Sequence, residues 1–346
     1  MVRRLLMASL LLVLAQPLLA HQGVAPDPAP AQPPPPVFKL EKLADKTWCL
    51  FGQGGNVGFL VTDAGVLVVD DQFENIAQGI VDQIRSVTDK PIRYQVNTHY
   101  HADHTGGNPI FIKLAEIIAH DSVRDRLLTY PETIKRTFPG KIKEWEADMA
   151  AINDPADPYR VSLEKDIGLA KFFLDDALKF RVETAAPPVL TYEGHVKVWL
   201  ADQEVEIFHV APGHTDGDSM VFFRNQKVLH MGDLFFNGMV PFIDAPGGGS
   251  VKGYIENIDY ALAHVPPDTK VIPGHGPVSD LTGLKRARDF LSDLWGEVDK
   301  AVKTGMTKTD AIRAIRMEAY PDIKPAFRTL GNAVAVAYDE IKSARK

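Results

Sequence analysis

The order of strand-like and helix-like segments along the chain predicts an α/β fold with helical additions. Short runs rich in β-branched residues come first and lead into an amphipathic helical stretch, and the same strand-then-helix order returns in the second half. Between the halves, a charge-rich segment of about residues 122–178 has a helical pattern without strand signals. The 346 residues, of which 45% are hydrophobic, suffice for one large domain with an appendage.

The elements follow in order along the chain. In the first half, the predicted strands are apolar runs at 47–51, 57–62, 66–70, 93–98 and 116–119, and the predicted helices lie at 76–88 and 110–114. Prolines interrupt the helical insertion at Pro139, Pro155 and Pro158, because proline disrupts helix interiors. The second half contains predicted strands at 196–200, 204–210, 219–224 and 227–231, a strand-like run at 270–272, and helices at 284–304, 308–317 and 333–343.

The N-terminus is typical of an export signal. Two arginines precede the apolar run 5–14, and we expect a signal peptide of residues 1–20 and no membrane span after its cleavage; an uncleaved anchor is the alternative. The proline-rich residues 21–36 hold too little apolar surface to fold and are predicted to form a disordered linker. The domain is therefore expected to comprise residues 37–346, in the periplasm or secreted.

Charge and cysteine content narrow the class of protein. A net charge of −7, without a basic run in the mature region, argues against a nucleic-acid partner and favours a small-molecule substrate. The single cysteine, Cys49, excludes an intramolecular disulfide. Its neighbours Trp48 and Leu50 predict a buried strand in which the thiol acts as a small hydrophobe. No pattern in the sequence specifies an oligomeric state.

Three histidines and a carboxylate fall within six residues, directly after a predicted strand. Residues two apart in an extended chain point to the same side, so His99 and His101 can hold one metal ion while Asp103 and His104 face another. Two glycines then allow a tight turn, and Asn108 with Pro109 is typical of an N-cap and first helical position. The sequence therefore predicts a metal site on a loop between a strand and a helix.

The second half supplies further candidate ligands. His214, Asp233 and His275 each follow a strand-like run and have a glycine beside them. His214 completes a set of three histidines with His99 and His101. Asp233 has two carboxylate oxygens, which can bridge two cations.

These residues resemble the pattern of the metallo-β-lactamase superfamily from about Trp48 to His275, with His-x-His-x-Asp-His as the most specific element. The resemblance implies an αββα sandwich, in which two mixed sheets pack face to face with helices outside, and a dinuclear zinc site along one edge of the sheets. It also implies a ligand set: His99, His101 and His214 for the first zinc, Asp103, His104 and His275 for the second, and Asp233 bridging both.

Four other polar residues are candidates for supporting roles. Asp70 resembles a buried carboxylate that orients ligands, with a helix or turn cap as the alternative. His230, three residues before Asp233, is a candidate for a similar role or for simple packing. Asn56 and Asn237 could donate hydrogen bonds to a substrate oxyanion, although asparagine beside glycine usually marks a turn.

The ligand set predicts hydrolysis. A bound cation lowers the pKa of water from 15.7 to about 7, so hydroxide becomes available to attack a carbonyl. Asp103 would be the catalytic residue that orients this hydroxide and carries its proton. Two Zn²⁺ are the expected cofactors; iron and manganese remain alternatives, since histidine and aspartate also bind them.

The substrate is predicted from the departures from the family pattern. The best-known zinc β-lactamases mostly carry cysteine or serine at the position of Asp233, and class B1 enzymes carry cysteine there. One subclass binds the drug carboxylate with a lysine at the position of Phe236. The all-His/Asp set resembles glyoxalase II thioesterases, lactonases and exported β-lactamase-like hydrolases. We expect β-lactam opening; the alternatives are a lactonase, thioesterase or other ester hydrolase, or a non-catalytic periplasmic metal-binding or relay protein.

Aromatic residues recur in the helical insertion. A lid or a dimer contact is one interpretation, but such spacing more often packs a pair of helices. The residues concerned are Tyr130, Phe138, Trp145, Phe172 and Phe173.

Overall fold

Two mixed β-sheets form the centre of the molecule in a computed structural model that describes residues 37–179 and 186–345. The predicted signal peptide and linker lie outside the described residues. Strands of the first sheet follow chain order, antiparallel from β1 to β4 and parallel from β4 to β7. They are β1 (Lys39–Lys42), β2 (Thr47–Phe51), β3 (Val57–Thr62), β4 (Gly65–Val69), β5 (Ile92–Val96), β6 (Glu116–His120) and β7 (Leu190–Tyr192).

The second sheet comes from the other half of the chain. It contains β8 (His195–Leu200), β9 (Gln203–Phe208), β10 (Met220–Phe223), β11 (Val228–His230), β12 (Lys270–Ile272) and β13 (Ser279–Asp280). Their order is β13-β12-β11-β10-β9-β8, and the pairs are antiparallel except for β11 with β12. Each predicted strand is therefore present, with bounds that differ by a few residues.

Helices flank the sheets and form the insertion. They are α1 (Glu74–Val87), α2 (Ala102–Thr105), α3 (Asn108–Phe111), α4 (Asp121–Ala150), α5 (Pro158–Lys179), α6 (Val251–His264), α7 (Leu281–Lys303), α8 (Lys308–Ala314) and α9 (Leu330–Ala344). Within the described residues, no helix is long and apolar enough to cross a membrane.

Alternating strand residues divide the core into layers, because successive side chains of a strand point to opposite faces. Leu60 of β3 packs between the sheets with Ile207 of β9, whereas its neighbour Phe59 packs outward against α1. On the far side, Phe222 of β10 joins a core that α6, α7 and α9 complete. The αββα sandwich that the resemblance implied is confirmed.

The insertion contains the long helices α4 and α5, which pack against each other. The predicted break at Pro139 is wrong: α4 continues through both Pro131 and Pro139. An internal proline costs about 3 kcal/mol. Tertiary packing offsets this cost, since Ile134, Phe138 and Ile142 form one buried face at four-residue spacing.

Two further local predictions need correction. Gly107, not Asn108, is the N-cap of α3, because the Asn108 side chain is buried and exchanges hydrogen bonds with Asn97 at 3.0 Å. The sequence pattern does not predict helix α6, because glycines precede it and Gly253 lies in its first turn. Ser250 is its N-cap, and the Ser250 hydroxyl oxygen accepts a hydrogen bond from the Gly253 N–H. Cys49 is buried in β2 as expected, and burial raises the pKa of its thiol.

Candidate metal centre

All seven predicted ligands meet at one edge of the sandwich, where strands of both sheets end. The loop after β5 carries His99 and His101 and leads into α2, which carries Asp103 and His104. From the second sheet, His214 follows β9, Asp233 lies in the turn after β11, and His275 follows β12. The strand ends thus bring together side chains that lie up to 176 residues apart.

The first group consists of His99, His101, His214 and Asp233, all buried, with one donor atom from each within 4.8 Å of the others. Nδ1 of His101 and Nε2 of His214 are 3.0 Å apart. Two imidazole nitrogens at this distance need a proton or a cation between them, because two lone pairs repel each other. A metal ion at this position would satisfy both.

The second group consists of Asp103, His104 and His275. Oδ2 of Asp103 lies 3.5 Å from Nε2 of His104 and 3.2 Å from Nε2 of His275. This group borders solvent, since the side chains of Asp103 and His275 are 25% and 11% exposed. The opening of the centre is therefore on the side of the second group.

Asp233 lies between the two groups. Its Oδ1 is 3.1 Å from Nε2 of His104 and 3.4 Å from Nε2 of His275, in the second group. Its Oδ2 is 3.8 Å from Nε2 of His99 and 3.5 Å from Nε2 of His214, in the first. One oxygen thus faces each group, which is the arrangement that a bridging carboxylate requires.

Partners behind the centre orient the histidine rings. Nδ1 of His214 donates to the carbonyl oxygen of Phe242 at 2.7 Å, and Nδ1 of His99 donates to the Thr98 hydroxyl at 3.1 Å. These bonds leave Nε2 of both rings as an acceptor that faces the centre. Such outer hydrogen bonds fix the tautomer of a metal-binding histidine.

Asp70 orients the second group. It is fully buried, and its Oδ2 accepts from Nδ1 of His104 at 2.8 Å. The same carboxylate also accepts from the backbone N–H and the hydroxyl of Thr98. This is the contact that the orienting interpretation predicted, and the cap alternative does not apply.

Asp244 has the corresponding role for His101, and little in the sequence around Asp244 indicates this role. Its buried carboxylate accepts from Nε2 of His101 at 3.0 Å and from the Tyr100 hydroxyl. Burial alone would raise the pKa of Asp244, but the hydrogen bond and charge of His101 lower it to about 2. The only local signal is an aspartate before a proline-glycine turn, which is usually a structural feature.

The remaining candidates support loops. His230 is buried, with Nε2 donating to the carbonyl oxygen of Asn56 at 3.0 Å. The Asn56 side-chain amide donates to the carbonyls of Pro273 and Gly276, both at 2.8 Å, and so fixes the loop that carries His275. Asn237 likewise donates to the carbonyl of Pro277. The asparagine amides hold loops and are not directed at a substrate oxyanion.

Electrostatics distinguish the two groups. Burial lowers the pKa of His214 to about 4 and also lowers that of His99, which keeps both rings neutral. Burial would also lower the pKa of His275, but Asp233 and Asp103 raise it to about 9. Asp233 is buried, which would raise its pKa, yet His275, His104 and His99 hold it well below the usual range. The carboxylates therefore favour positive charge in the second group.

Unpartnered buried atoms test whether metal ions fit. Within residues 37–179 and 186–345, Nε2 of His99, Nε2 of His104 and Oδ1 of Asp233 are buried without a hydrogen-bond partner. Buried polar atoms nearly always have hydrogen-bond partners. Three buried nitrogen and oxygen atoms without a partner in one cluster therefore indicate that the cluster binds something, such as a metal ion. Imidazole nitrogen and carboxylate oxygen are suitable zinc ligands. The His/Asp clusters can bind metal ions.

Of the predicted insertion aromatics, Tyr130 and Phe138 are buried between α4 and α5, and Trp145 and Phe173 pack against the same cluster. The packing interpretation is confirmed for Tyr130, Phe138 and Trp145, whereas Phe173 also lies 5.3 Å from the ring of His101. Phe172 differs, because its side chain is 49% exposed.

A family model described as the metallo-beta-lactamase superfamily matches residues 50–275. This chain belongs to the metallo-β-lactamase superfamily. The matched residues include strands of both sheets and all seven clustered side chains. As a member of this superfamily with a His/Asp cluster able to bind metal, the chain is a hydrolase.

Three relatives illustrate the range of this superfamily. An uncharacterised protein from Aquifex aeolicus is 30% identical over 56% of this chain and 90% of its own length. The human acyl-coenzyme A thioesterase MBLAC2 is 25% identical over 52% of this chain and 54% of its own length. The metallo-beta-lactamase type 2 of Elizabethkingia meningoseptica is 22% identical over 75% of this chain and 86% of its own length.

Among solved structures, a metallo-beta-lactamase from Pontibacter korlensis superposes with a TM-score of 0.52 at 15% identity. The match covers 74% of this chain and 100% of that one. This similarity concerns the fold alone. The superfamily fold thus accounts for the sandwich, and the substrate has to be argued from the site.

Proposed function

We propose that this chain is a dinuclear metal hydrolase with two Zn²⁺ at the His/Asp centre. The observation that carries the proposal is the position of Asp233, with one oxygen toward each group of ligands. On this proposal, His99, His101 and His214 hold the first ion, and Asp103, His104 and His275 hold the second. Iron or manganese would suit the same donors, so the metal has to be measured.

When bound, two cations would lower the pKa of a water molecule to about 7 and stabilise charge on the attacked carbonyl and the leaving group. The chain's own catalytic group is Asp103, on the open side of the centre. Burial would raise its pKa, but His104 and His275 lower it to about 2. As a carboxylate it can orient water, accept a proton and return it to the leaving group.

β-Lactam opening is the first substrate class in this proposal. It is supported by the superfamily and by the similarity to the Elizabethkingia enzyme. In this reaction, hydroxide adds to the carbonyl carbon, the carbon–nitrogen bond breaks, and the nitrogen takes up the proton.

Esters and thioesters are the second substrate class, and one specific observation favours them. Phe236 stacks on His275 with ring centres 5.2 Å apart, so an aromatic ring occupies the position at which a lysine would attract a carboxylate. The similarity to an acyl-coenzyme A thioesterase also supports this class. Here hydroxide adds to the acyl carbon, and an alcohol or thiol leaves with the proton.

Export to the periplasm or medium belongs to the same proposal, and it rests on the arginines and apolar run at the N-terminus. Fractionation of cells that express the full chain would test it. Recovery in the cytoplasm at full length would contradict it.

The function is tested by stripping the purified protein with chelator, reloading it with zinc, and counting the bound metal. A chromogenic β-lactam and a nitrophenyl ester are then assayed in parallel. We expect two zinc ions per chain and turnover that requires them. Two bound ions without turnover of either compound would contradict both substrate classes, and one bound ion would contradict the bridging role of Asp233.

A further inference from the structure

Five phenylalanine rings lie beside the metal centre in two sets, which are called here together the aromatic border. Phe172, Phe173 and Phe242 form one set and Phe236 and Phe327 the other, and the His214 ring lies between Phe242 and Phe236. Each ring contacts a histidine of the centre or another ring of the set. They come from three segments: α5, the loop after β11, and the segment before α9. The residues are Phe172, Phe173, Phe236, Phe242 and Phe327.

On the side of the first group, Phe242 stacks on His101 with ring centres 5.6 Å apart and contacts His214 at 5.1 Å. Phe173 lies 5.3 Å from His101 on the insertion side, and Phe172 lies 5.7 Å from Phe173. The insertion therefore reaches the metal centre directly and is not only an outer layer.

On the side of the second group, Phe327 lies edge-on to His275 with ring centres 4.9 Å apart, and 6.2 Å from Phe236. His275 borders the solvent opening. Phe327 is itself 47% exposed, although most large apolar side chains of the described residues are buried. Its ring is therefore available to a molecule that enters the centre.

A cavity of about 230 Å³ adjoins the aromatic border on the insertion side. Phe173 belongs to both the border and the cavity lining, and Leu127 and Ile134 of α4 also line the cavity. Its lining includes the cations Arg126 and Lys179 as well, which are paired with Asp216 and Asp175. An apolar group that leaves the centre over Phe173 would thus meet apolar side chains, and the nearby cations already have acidic partners.

Charges at the aromatic border do not favour an anionic group. The guanidinium of Arg328 lies over the Phe242 ring at 4.2 Å and is paired with Asp166 of α5. Asp176, one turn after Phe173, is exposed and lies close enough to Asp103 for the two carboxylates to repel each other. A carboxylate on the substrate would meet a neutralised arginine and these aspartates.

We infer that the aromatic border recognises an uncharged apolar acyl group of the substrate, with Phe327 and Phe172 as specificity-determining residues. The inference rests on the proposed hydrolase function and specifies its substrate class. Transfer of an acyl chain from water to apolar rings is favourable in proportion to the area buried. Half-exposed rings bury only part of each methylene of the acyl chain. Each methylene should therefore increase the affinity for the acyl group by roughly twofold.

The first experiment compares nitrophenyl acetate, butyrate and octanoate with the zinc-loaded enzyme. We expect kcat/KM to be about 60-fold higher for octanoate than for acetate, from six methylenes at roughly twofold each. Phe327→Ala and Phe172→Ala should each lower this ratio by about fivefold, and Phe327→Leu should restore most of it. Trp199→Ala, at an exposed aromatic residue on β8 outside the aromatic border, is the control and should leave the ratio unchanged.

The second experiment measures binding without turnover. Octanamide and acetamide are titrated into wild-type protein and Phe327→Ala by calorimetry, because these amides are neutral and carry the same acyl groups. Wild-type protein should bind octanamide at least tenfold more tightly than acetamide, and Phe327→Ala should lose about fivefold of this preference.

The two experiments separate the two claims. If no ester is hydrolysed but octanamide binding depends on Phe327, the hydrolase proposal fails for esters and the recognition of an apolar group stands. If esters of all lengths are hydrolysed equally, and octanamide binds no better than acetamide, the inference is overturned while the hydrolase function stands.

Discussion

The metal centre and the aromatic border differ in polarity, although Phe236 and Phe242 are as buried as most side chains of the centre. The centre is buried and polar, and an outer partner fixes several of its rings, as Asp70 does for His104 and Asp244 for His101. The border is apolar and partly exposed, and its outermost rings, Phe172 and Phe327, make few contacts beyond their neighbours. Chemistry therefore depends on groups that tolerate little change, whereas substrate choice depends on side chains that can change at small cost in stability.

The largest effect that separates the two regions is expected for Asp103→Asn. Loss of the carboxylate that orients water and carries its proton should lower kcat by about 10² to 10⁴. The fold should remain, since this side chain is 25% exposed. Asp103 is also one of the residues proposed to hold the second ion, so the second ion should bind more weakly, and kcat is therefore compared at saturating zinc. Steady-state kinetics with metal analysis measure this, and Asp89→Asn, an exposed aspartate before β5, is the control. Near-normal turnover in Asp103→Asn would exclude its catalytic role.

Asp244→Asn tests whether the outer partners of the centre matter as much as its ligands. Nε2 of His101 would lose its charged acceptor, so the orientation of Nδ1 toward the centre would weaken. We expect metal affinity of the first group to fall by about 10- to 100-fold. Competition with a zinc chelator gives the affinity, and an unchanged value would show that His101 is held by packing alone.

Zinc loading should release protons, because the second group binds them in the absence of metal. The pKa of His275 is raised to about 9, so its ring is charged at pH 7.5 and has to lose a proton to bind zinc. In the metal-free protein, this raised pKa contributes stability that is present below the unfolded value of about 6.5 and lost as the pH rises through 9. Titration of zinc in weak buffer measures the release, and no release at pH 7.5 would contradict this charge state.

Asp70→Asn tests how much the buried hydrogen bonds of Asp70 contribute to stability, for comparison with a ring of the border. Asparagine tolerates the positive φ of 63° at this position, so backbone strain changes little. An amide nitrogen in place of one oxygen would, however, face a donor from His104 or Thr98. We expect a loss of about 1–3 kcal/mol in the free energy of unfolding of the metal-free protein. Urea denaturation measures it.

Phe172→Ala should have the smallest effect, within about 0.5 kcal/mol of wild type, because its side chain is half exposed. Urea denaturation of both variants gives the two free energies of unfolding. A loss for Phe172→Ala equal to that for Asp70→Asn would remove the distinction between a fixed centre and a replaceable border.

Much of the centre could be predicted from the sequence because its candidate ligands lie beside short local signals. The histidines and aspartate at 99–104 follow a strand and share one loop, and His214, Asp233 and His275 each follow a strand next to a glycine. Asp70 could be proposed from the family pattern. Asp244 could not be proposed in this way, because nothing in its neighbouring sequence indicates the contact. The packing of the two sheets and their loops brings Asp244 to His101.

The sequence by itself determined the strand-helix order, the ligand types and their spacing, since strand periodicity and turn residues act over a few positions. The tertiary structure decided that one oxygen of Asp233 faces each group, that α4 passes through Pro139, and that Phe173 and Phe327 each lie against a histidine of the centre. These relations join residues that are far apart in the sequence. They depend on how sheets and helices pack, which local propensity does not specify.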